Sequence, residues 1–455
     1  QVVVMGRPAA SADARSYQSM KRTLLPVVLS ALSDLRSRFD VVVCEGAGSP
    51  AEVNLRDGDI ANMGLARAAG LPVVVVGDID RGGVLAALYG TVALLDRADQ
   101  ALVAGFLVNK FRGDRGILAP GLRRLEAATG RPVLGVLPWV RGLWLDVEDS
   151  LALEAPRDPS PPAFATSGTS GGDELAVAVV RLPRMSNFTD VDALAQEPGI
   201  SVRFTESAAE VRTADLAVLP GTKATVSDLA WLRNRGLARA IGDRARAGLP
   251  VLGVCGGYQI LGRRIADMFE SGAGDVEALG LLPVETVFGS DKVLGTRLGA
   301  APSFGGAPVT GYEIRHGRVS GLGGLGEPLF VDAAGAPEGW RTGAVLGTSW
   351  HGAMESDAFR RAFAGWVAGL RGLRWVPGTG SFAELRERRL DRLGDLVEEH
   401  VDGAALLRLV ESGARRDLPV VAAWLEGPSH TGASGCRAAP SAAPPEPGHE
   451  TAGTA

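Results

Sequence analysis

Cysteine is scarce in this chain of 455 residues: there are three, at positions 44, 255 and 436. None stands in a C-x-x-C pair, which removes any basis for a disulfide framework or a zinc knuckle. A reducing, cytoplasmic setting is the expectation that follows. No run approaches the roughly 18–20 apolar residues that cross a bilayer, so no membrane segment is expected. The opening residues carry no basic-then-apolar leader pattern. An excess of one charge is lacking too: 47 Lys and Arg stand against 52 Asp and Glu, a formal net charge of −5. That balance gives no electrostatic reason to expect nucleic acid as a partner. There is no internal repeat, and nothing in the chain fixes an oligomeric state. Histidine is nearly as rare as cysteine, with five residues in all.

What is present is an alternation of strand-like and helical runs. Between residues 1 and 150 the strand candidates are QVVVM, FDVVVCEG, LPVVVVGDI, ALVAGFLVNK and PVLGVLP. Helical spacing lies between them, at 16–38, 58–69, 82–97 and 115–129. Continuous apolar strands alternating with helices predict a parallel sheet covered on both faces. Residues 151–173 are rich in Pro, Ser, Gly and Thr and read as a linker. A second alternation fills 174–370, with strands ELAVAVV, DLAVLPG, LPVLGVC and GAVLGTSWHG. Residues 371–425 read as a C-terminal helical segment, and 426–455 as a low-complexity, disordered tail. The expected fold class is therefore α/β, with two parallel-sheet domains.

The stretch VLGVCGGYQILG, residues 251–262, holds the most informative cysteine. Strand, tight turn and helix follow in that order, with Cys255 on the turn between Gly253 and the pair Gly256 and Gly257. A helix N-terminus favours a thiolate, and a strained elbow tolerates little bulk around it. The competing reading is an inert cysteine closing a buried strand; the turn chemistry favours the nucleophile. A thiol nucleophile needs a base. His430 and His449 fall in the tail, and His400 falls on a charged helix. Of the two that remain, His351 follows the apolar strand GAVLGTSW at its carboxyl end, where ligands gather in open parallel sheets. His316, in GYEIRHGR, is the weaker candidate by position. LAVLPGTKAT, residues 216–225, ends a further strand in Pro-Gly and exposes amides that could meet an oxyanion, with a second from Gly256.

LPGT, GVCGGYQILG and SWHG, in that order, resemble a class I glutamine amidotransferase domain. The resemblance implies Cys255 as nucleophile, His351 as base, and Gly221 with Gly256 as sources of oxyanion amides. It also places Gln259 beside the glutamine pocket. Many relatives carry a glutamate two residues after the histidine, to orient the ring; here that position is Ala353. Glu355 is nearby in sequence but earns no such assignment.

In the first half, DVVVCEGAGSPAEVNL places Glu45 at a predicted strand end, as a Walker-B-like acid that could hold Mg²⁺ or its water. VVVVGDIDRGG ends the next strand with Asp78 and Asp80, and FLVNKFRGD ends another with Asn109 and Lys110. Any single acid here could equally be a helix cap. Together with RLPRMSNFTDVDAL and GYEIRHGR, these segments resemble the glutamine-hydrolysing cobyric acid synthase family over residues 1 to about 370. The resemblance implies a dethiobiotin-synthetase-like domain of P-loop type that activates corrin carboxylates with ATP. Glutamine and a corrin are then the substrates, ATP and Mg²⁺ the co-substrate and ion, and no prosthetic group is expected. It implies Glu45 for the metal, Asp78 and Asp80 near the phosphates, and Asn109 near the adenine, with Lys110 beside it on the same ATP-binding edge. The family's P-loop, G-x-x-x-x-G-K-[ST], is missing from this sequence. Its place in the family layout precedes Gln1, so the expectation is a first domain that starts part-way and an ATP-dependent half that is defective as written. The alternatives are a related ligase with another acceptor (a cobyrinic acid a,c-diamide synthase, or a ligase amidating a cell-wall precursor) and a non-catalytic homologue.

Overall fold

The computed structural model describes residues 2–10, 14–140, 143, 172–323 and 326–421. The chain divides into two compact units, Gln1–Trp139 with Leu396–Ala455, and Val140–Asp395. Residues 371–425, expected as one helical segment, are thus shared: the helix Phe382–His400 starts in the second unit and ends in the first. The expected linker lies almost wholly, and the expected tail wholly, outside the described residues.

The first unit is built on a three-stranded parallel sheet of Val73–Asp78, Val103–Phe111 and Val133–Pro138, in that spatial order. Its β-branched strands carry buried Val75, Phe106, Val108 and Val136 onto Leu88 and Val92 of the helix Val84–Leu94. Leu88 and Val92 are one turn apart, the spacing that puts both on one helix face. The returning residues 396–421 fasten onto this unit. Val401 bridges Gly135, and Val421 exchanges hydrogen bonds of 2.8 and 3.0 Å with the buried Gln100 side chain.

Three expectations for this unit need correction. QVVVM does not join the parallel sheet. Val2–Val4 folds back antiparallel onto Arg7–Ala10, because Met5 and Gly6 both take positive φ, 49° and 75°, the signature of a tight hairpin turn. FDVVVCEG forms no strand. It has the propensity, but a strand is completed by ladder partners, and none pairs with it among the described residues; Val43 is 91% exposed. The helix expected at 58–69 starts only at Met63, because the Asp59 carboxylate takes the amides of Ala61, Asn62 and Gly64.

The second unit holds a six-stranded sheet. Its order is Trp340–Thr342, Val345–Thr348, Val251–Val254, Leu216–Leu219, Leu175–Val180 and Ile200–Thr205. All neighbours are parallel except the first pair. Every residue of the three strands at 216–219, 251–254 and 345–348 is buried, as a sheet covered on both faces requires. A second sheet packs beside it, dominated by the long antiparallel ribbon of Val284–Ala301 and Ala307–Gly321.

One buried acid secures the edge of this unit. Glu197 is inaccessible to solvent, and accepts from Arg360 Nε at 2.9 Å, Arg361 Nε at 3.2 Å and the Gly378 amide at 2.8 Å. Removing Glu197 leaves the fully buried Arg360 with Asp357, at 2.6 Å, as its carboxylate and takes the acceptor from the Gly378 amide. Glu197→Ala should cost about 3–5 kcal/mol of stability, read as a lower urea midpoint by tryptophan fluorescence. An unchanged midpoint would contradict this account.

Candidate active site

Cys255 caps the strand Val251–Val254 and starts the helix Gly256–Leu261. Its backbone sits at φ 50°, ψ −107°, a region that a non-glycine residue rarely occupies. The neighbours explain how the turn is held. A Cβ on Gly257 would come within 2.0 Å of the Leu219 carbonyl oxygen, and one on Gly256 within 3.0 Å of the Thr222 amide. Only glycine lets the helix approach the adjacent strand end so closely. The Cys255 amide donates to the Thr348 carbonyl at 2.7 Å, tying the elbow to the strand that carries the histidine.

His351, rather than His316, is the histidine beside the thiol: the Cys255 side chain is near enough to its ring to help raise its pKa. It is 1% exposed. Its Nδ1 is 2.7 Å from Asp190 Oδ2, and the other oxygen of Asp190 accepts the Gly352 amide at 2.7 Å. Burial alone pushes the imidazole pKa down. The charge and hydrogen bond of Asp190, with Cys255 adding to them, outweigh that and hold it well above the ordinary histidine value. Tyr312 stacks on the ring at 5.3 Å between centroids, and its hydroxyl accepts from Asn187 at 2.7 Å.

Gly221 backs directly onto the imidazole, since a Cβ there would lie 3.0 Å from His351 Cε1. Gln259 is buried one turn after Cys255 and accepts from the Thr225 hydroxyl at 3.3 Å. Glu270, whose carboxyl burial pushes up to about 7, accepts the Thr225 amide at 2.8 Å. Cys255, His351, Gly221, Gly256 and Gln259 are therefore brought together.

Sequence reasoning passed over Asp190, Asn187 and Tyr312. The first two lie in SNFTD, between a predicted strand and a helix, 161 positions from His351 for Asp190. The signal available was an acid in a segment already singled out by resemblance. Glu355, four residues after His351, pairs instead with Arg386 at 3.2 Å.

In the first unit, Asp78 and Asn109 stand opposite each other at neighbouring strand ends. Lys110 Nζ is 2.7 Å from Asp78 Oδ2, and Arg112 Nε is 3.2 Å from Asp80 Oδ1. Asp78, Asp80, Asn109 and Lys110 thus share one sheet edge, where an open parallel sheet binds ligands. Glu45 is exposed on the unpaired segment and joins none of them through a hydrogen bond or ion pair. Among the described residues no group of three or more His, Cys, Asp or Glu could cage a metal. The donor set suits an ion held through phosphates and water with one or two carboxylates, as Mg²⁺ often is.

Residues 176–359 match the CobB/CobQ-like glutamine amidotransferase domain, and residues 3–144 match an AAA domain. A cobyric acid synthase of Frankia casuarinae is 57% identical over 435 residues, covering 92% of this chain and 82% of that protein. The chain belongs to the cobyric acid synthase family. The family's enzyme from Streptomyces avermitilis is 56% identical over 423 residues, covering 92% of this chain and 82% of its own length. No helix among the described residues is long and apolar enough to cross a membrane.

Within this member of the family, the Asp190 contact makes a prediction about pH. Asp190→Asn removes the charge that raises His351 and leaves the burial that lowers it. Alkylation of Cys255 by iodoacetamide should then need higher pH, and glutaminase turnover should fall roughly 10²–10⁴-fold. The stability this pair adds is full below the ordinary histidine pKa of about 6.5 and is lost as pH rises through the elevated value. An Asp190→Asn protein with the wild-type alkylation profile would remove Asp190 from this role.

Proposed function

We propose that this chain amidates corrin side-chain carboxylates in cobalamin biosynthesis, using ammonia that it releases from glutamine. The observation that carries the reading is the Cys255–His351–Asp190 line on a strained strand-to-helix elbow, in a chain 57% identical to a cobyric acid synthase. Because Asp190 occupies Nδ1, Nε2 is the nitrogen that takes the thiol proton. The Cys255 sulfur attacks the side-chain carbonyl carbon of glutamine. Amides of Gly221 and Gly256 stabilise the oxyanion. The C–N bond breaks as His351 returns its proton to the departing nitrogen, and ammonia leaves. Water, deprotonated by the same imidazole, then cleaves the thioester to glutamate and free thiol.

In the family the other half of the reaction belongs to the first unit; with no G-x-x-x-x-G-K-[ST] in this sequence, this chain is expected to bind ATP weakly and to retain the glutaminase half. ATP phosphorylates a corrin carboxylate, ammonia attacks the acyl phosphate, and the C–O bond to phosphate breaks to leave the amide. Asp78, Asp80 and Lys110 would border the phosphates and Asn109 the base. Mg²⁺, when bound, supplies charge neutralisation on the phosphates, with Asp78, Asp80 or Glu45 as the carboxylates available to it. The acceptor is adenosylcobyrinic a,c-diamide, amidated four times to adenosylcobyric acid.

The deciding assay uses the full chain with glutamine, ATP, Mg²⁺ and the corrin. Cys255→Ala should abolish glutamine-dependent ammonia release, whether or not amide formation is supported. Glutamine hydrolysis at the wild-type rate by Cys255→Ala would sink the proposal.

A further inference from the structure

The thiol and the imidazole come from adjacent strands, and one carboxylate outside the proposed chemistry grips the place where those strands end. Glu338 closes the two-residue strand Pro337–Glu338, on the edge of the second sheet of its unit. The residue is half-buried, but its carboxylate is turned inward onto a segment that solvent scarcely reaches: Thr348 and Ser349 are each 3% exposed. One oxygen accepts the Thr348 hydroxyl at 2.8 Å and the other the Ser349 amide at 2.7 Å. The same Thr348 hydroxyl oxygen accepts the Trp350 amide at 2.9 Å. The Thr348 carbonyl holds the Cys255 amide at 2.7 Å. Three consecutive residues before His351 are therefore fixed, directly or at one remove, by Glu338, and the first of them, Thr348, also holds the backbone amide of Cys255.

The approach is purpose-shaped in the backbone. Gly339 takes φ 66°, and a Cβ on it would fall 2.6 Å from the Gly347 carbonyl oxygen and 3.4 Å from Thr348 Cα. A side chain there would push Glu338 off the strand that carries the histidine. Both oxygens of Glu338 are in use as acceptors; an amide in its place can accept the Ser349 amide with its oxygen, but must reverse the bond to Thr348 by donating to that hydroxyl.

We infer that Glu338 is a positioning residue for the thiol–imidazole pair: it sets the Thr348–His351 turn, and through the Thr348 carbonyl the elbow of Cys255, in mutual register. It touches neither glutamine nor the reacting atoms. The inference rests on the glutaminase reading for its kinetic consequence, but not for its geometric one. A small displacement at such a pair is costly because the reaction needs near-attack alignment.

The test uses the full chain and two readouts. Glu338→Ala should lower kcat for glutamine hydrolysis roughly ten- to hundredfold, with KM for glutamine within about twofold of wild type. Its Cys255 alkylation by iodoacetamide should slow at neutral pH, because sulfur and imidazole are no longer held in register. Glu338→Gln should restore part of both. Thr348→Val removes the hydroxyl and keeps the shape, and should reproduce the alkylation change even if Glu338→Ala fails to fold. A folded Glu338→Ala protein, or a folded Thr348→Val protein, with wild-type kcat and a wild-type alkylation profile would overturn the inference. The alkylation arm needs no turnover, so wild-type protein without glutaminase activity would refute the functional reading and leave Glu338 still under test.

Discussion

The thiol site depends on a contact made out of reach of solvent, the Asp190 carboxylate against the His351 imidazole at 2.7 Å. Removing a carboxylate and an imidazolium from water is costly, and the cost is met only when each finds good partners. Here the carboxylate grips the ring with one oxygen and the next peptide with the other. Tyr312 covers the ring face and is itself bridged to His351 through backbone bonds of 2.9 and 3.0 Å. Three segments, 187–190, 312 and 351–352, must therefore converge before the imidazole has a defined tautomer and a raised affinity for its proton.

The sheet supplies the other half of the alignment. Val251–Val254 and Val345–Thr348 pair in parallel, with Val254 opposite Thr348, so both chains leave the ladder at the same level. Cys255 turns sharply into its helix, while Ser349 and Trp350 continue to His351. A thiol and an imidazole on successive turns of one helix would move with that helix. On two hydrogen-bonded strand ends their separation is set by the ladder, by the Thr348 carbonyl and by the carboxylate that braces Thr348. Rigid placement of this kind suits a reaction in which one imidazole must take a proton and return it.

Much of this was legible without coordinates. The apolar runs at 73–78, 103–111, 133–138, 216–219, 251–254 and 345–348 announce parallel strands, and the last three are buried throughout as a sheet covered on both faces requires, while Val76 in the first is 56% exposed. The glycines around Cys255 announce the elbow, because no other residue tolerates a strand carbonyl as close as 2.0 Å to its Cβ position. The run FDVVVCEG reads the same way as its neighbours and yet forms no ladder. Propensity is a property of the run, whereas pairing belongs to the residues beside it. In the same way SNFTD shows an acid and no sign of its target, since the ring it orients is 161 positions away.

The sequence by itself therefore determined the local matters: which runs are buried strands, where the chain turns on glycine, and which cysteine and histidine stand at strand ends. These follow from backbone sterics and hydrophobic period, which act over a few residues. Only the tertiary structure decided that Asp190 rather than Glu355 faces His351, that Tyr312 stacks on it, and that Glu338 braces Thr348. Those choices depend on side chains from separate segments meeting within about 3 Å, and no pattern along one segment encodes such a meeting.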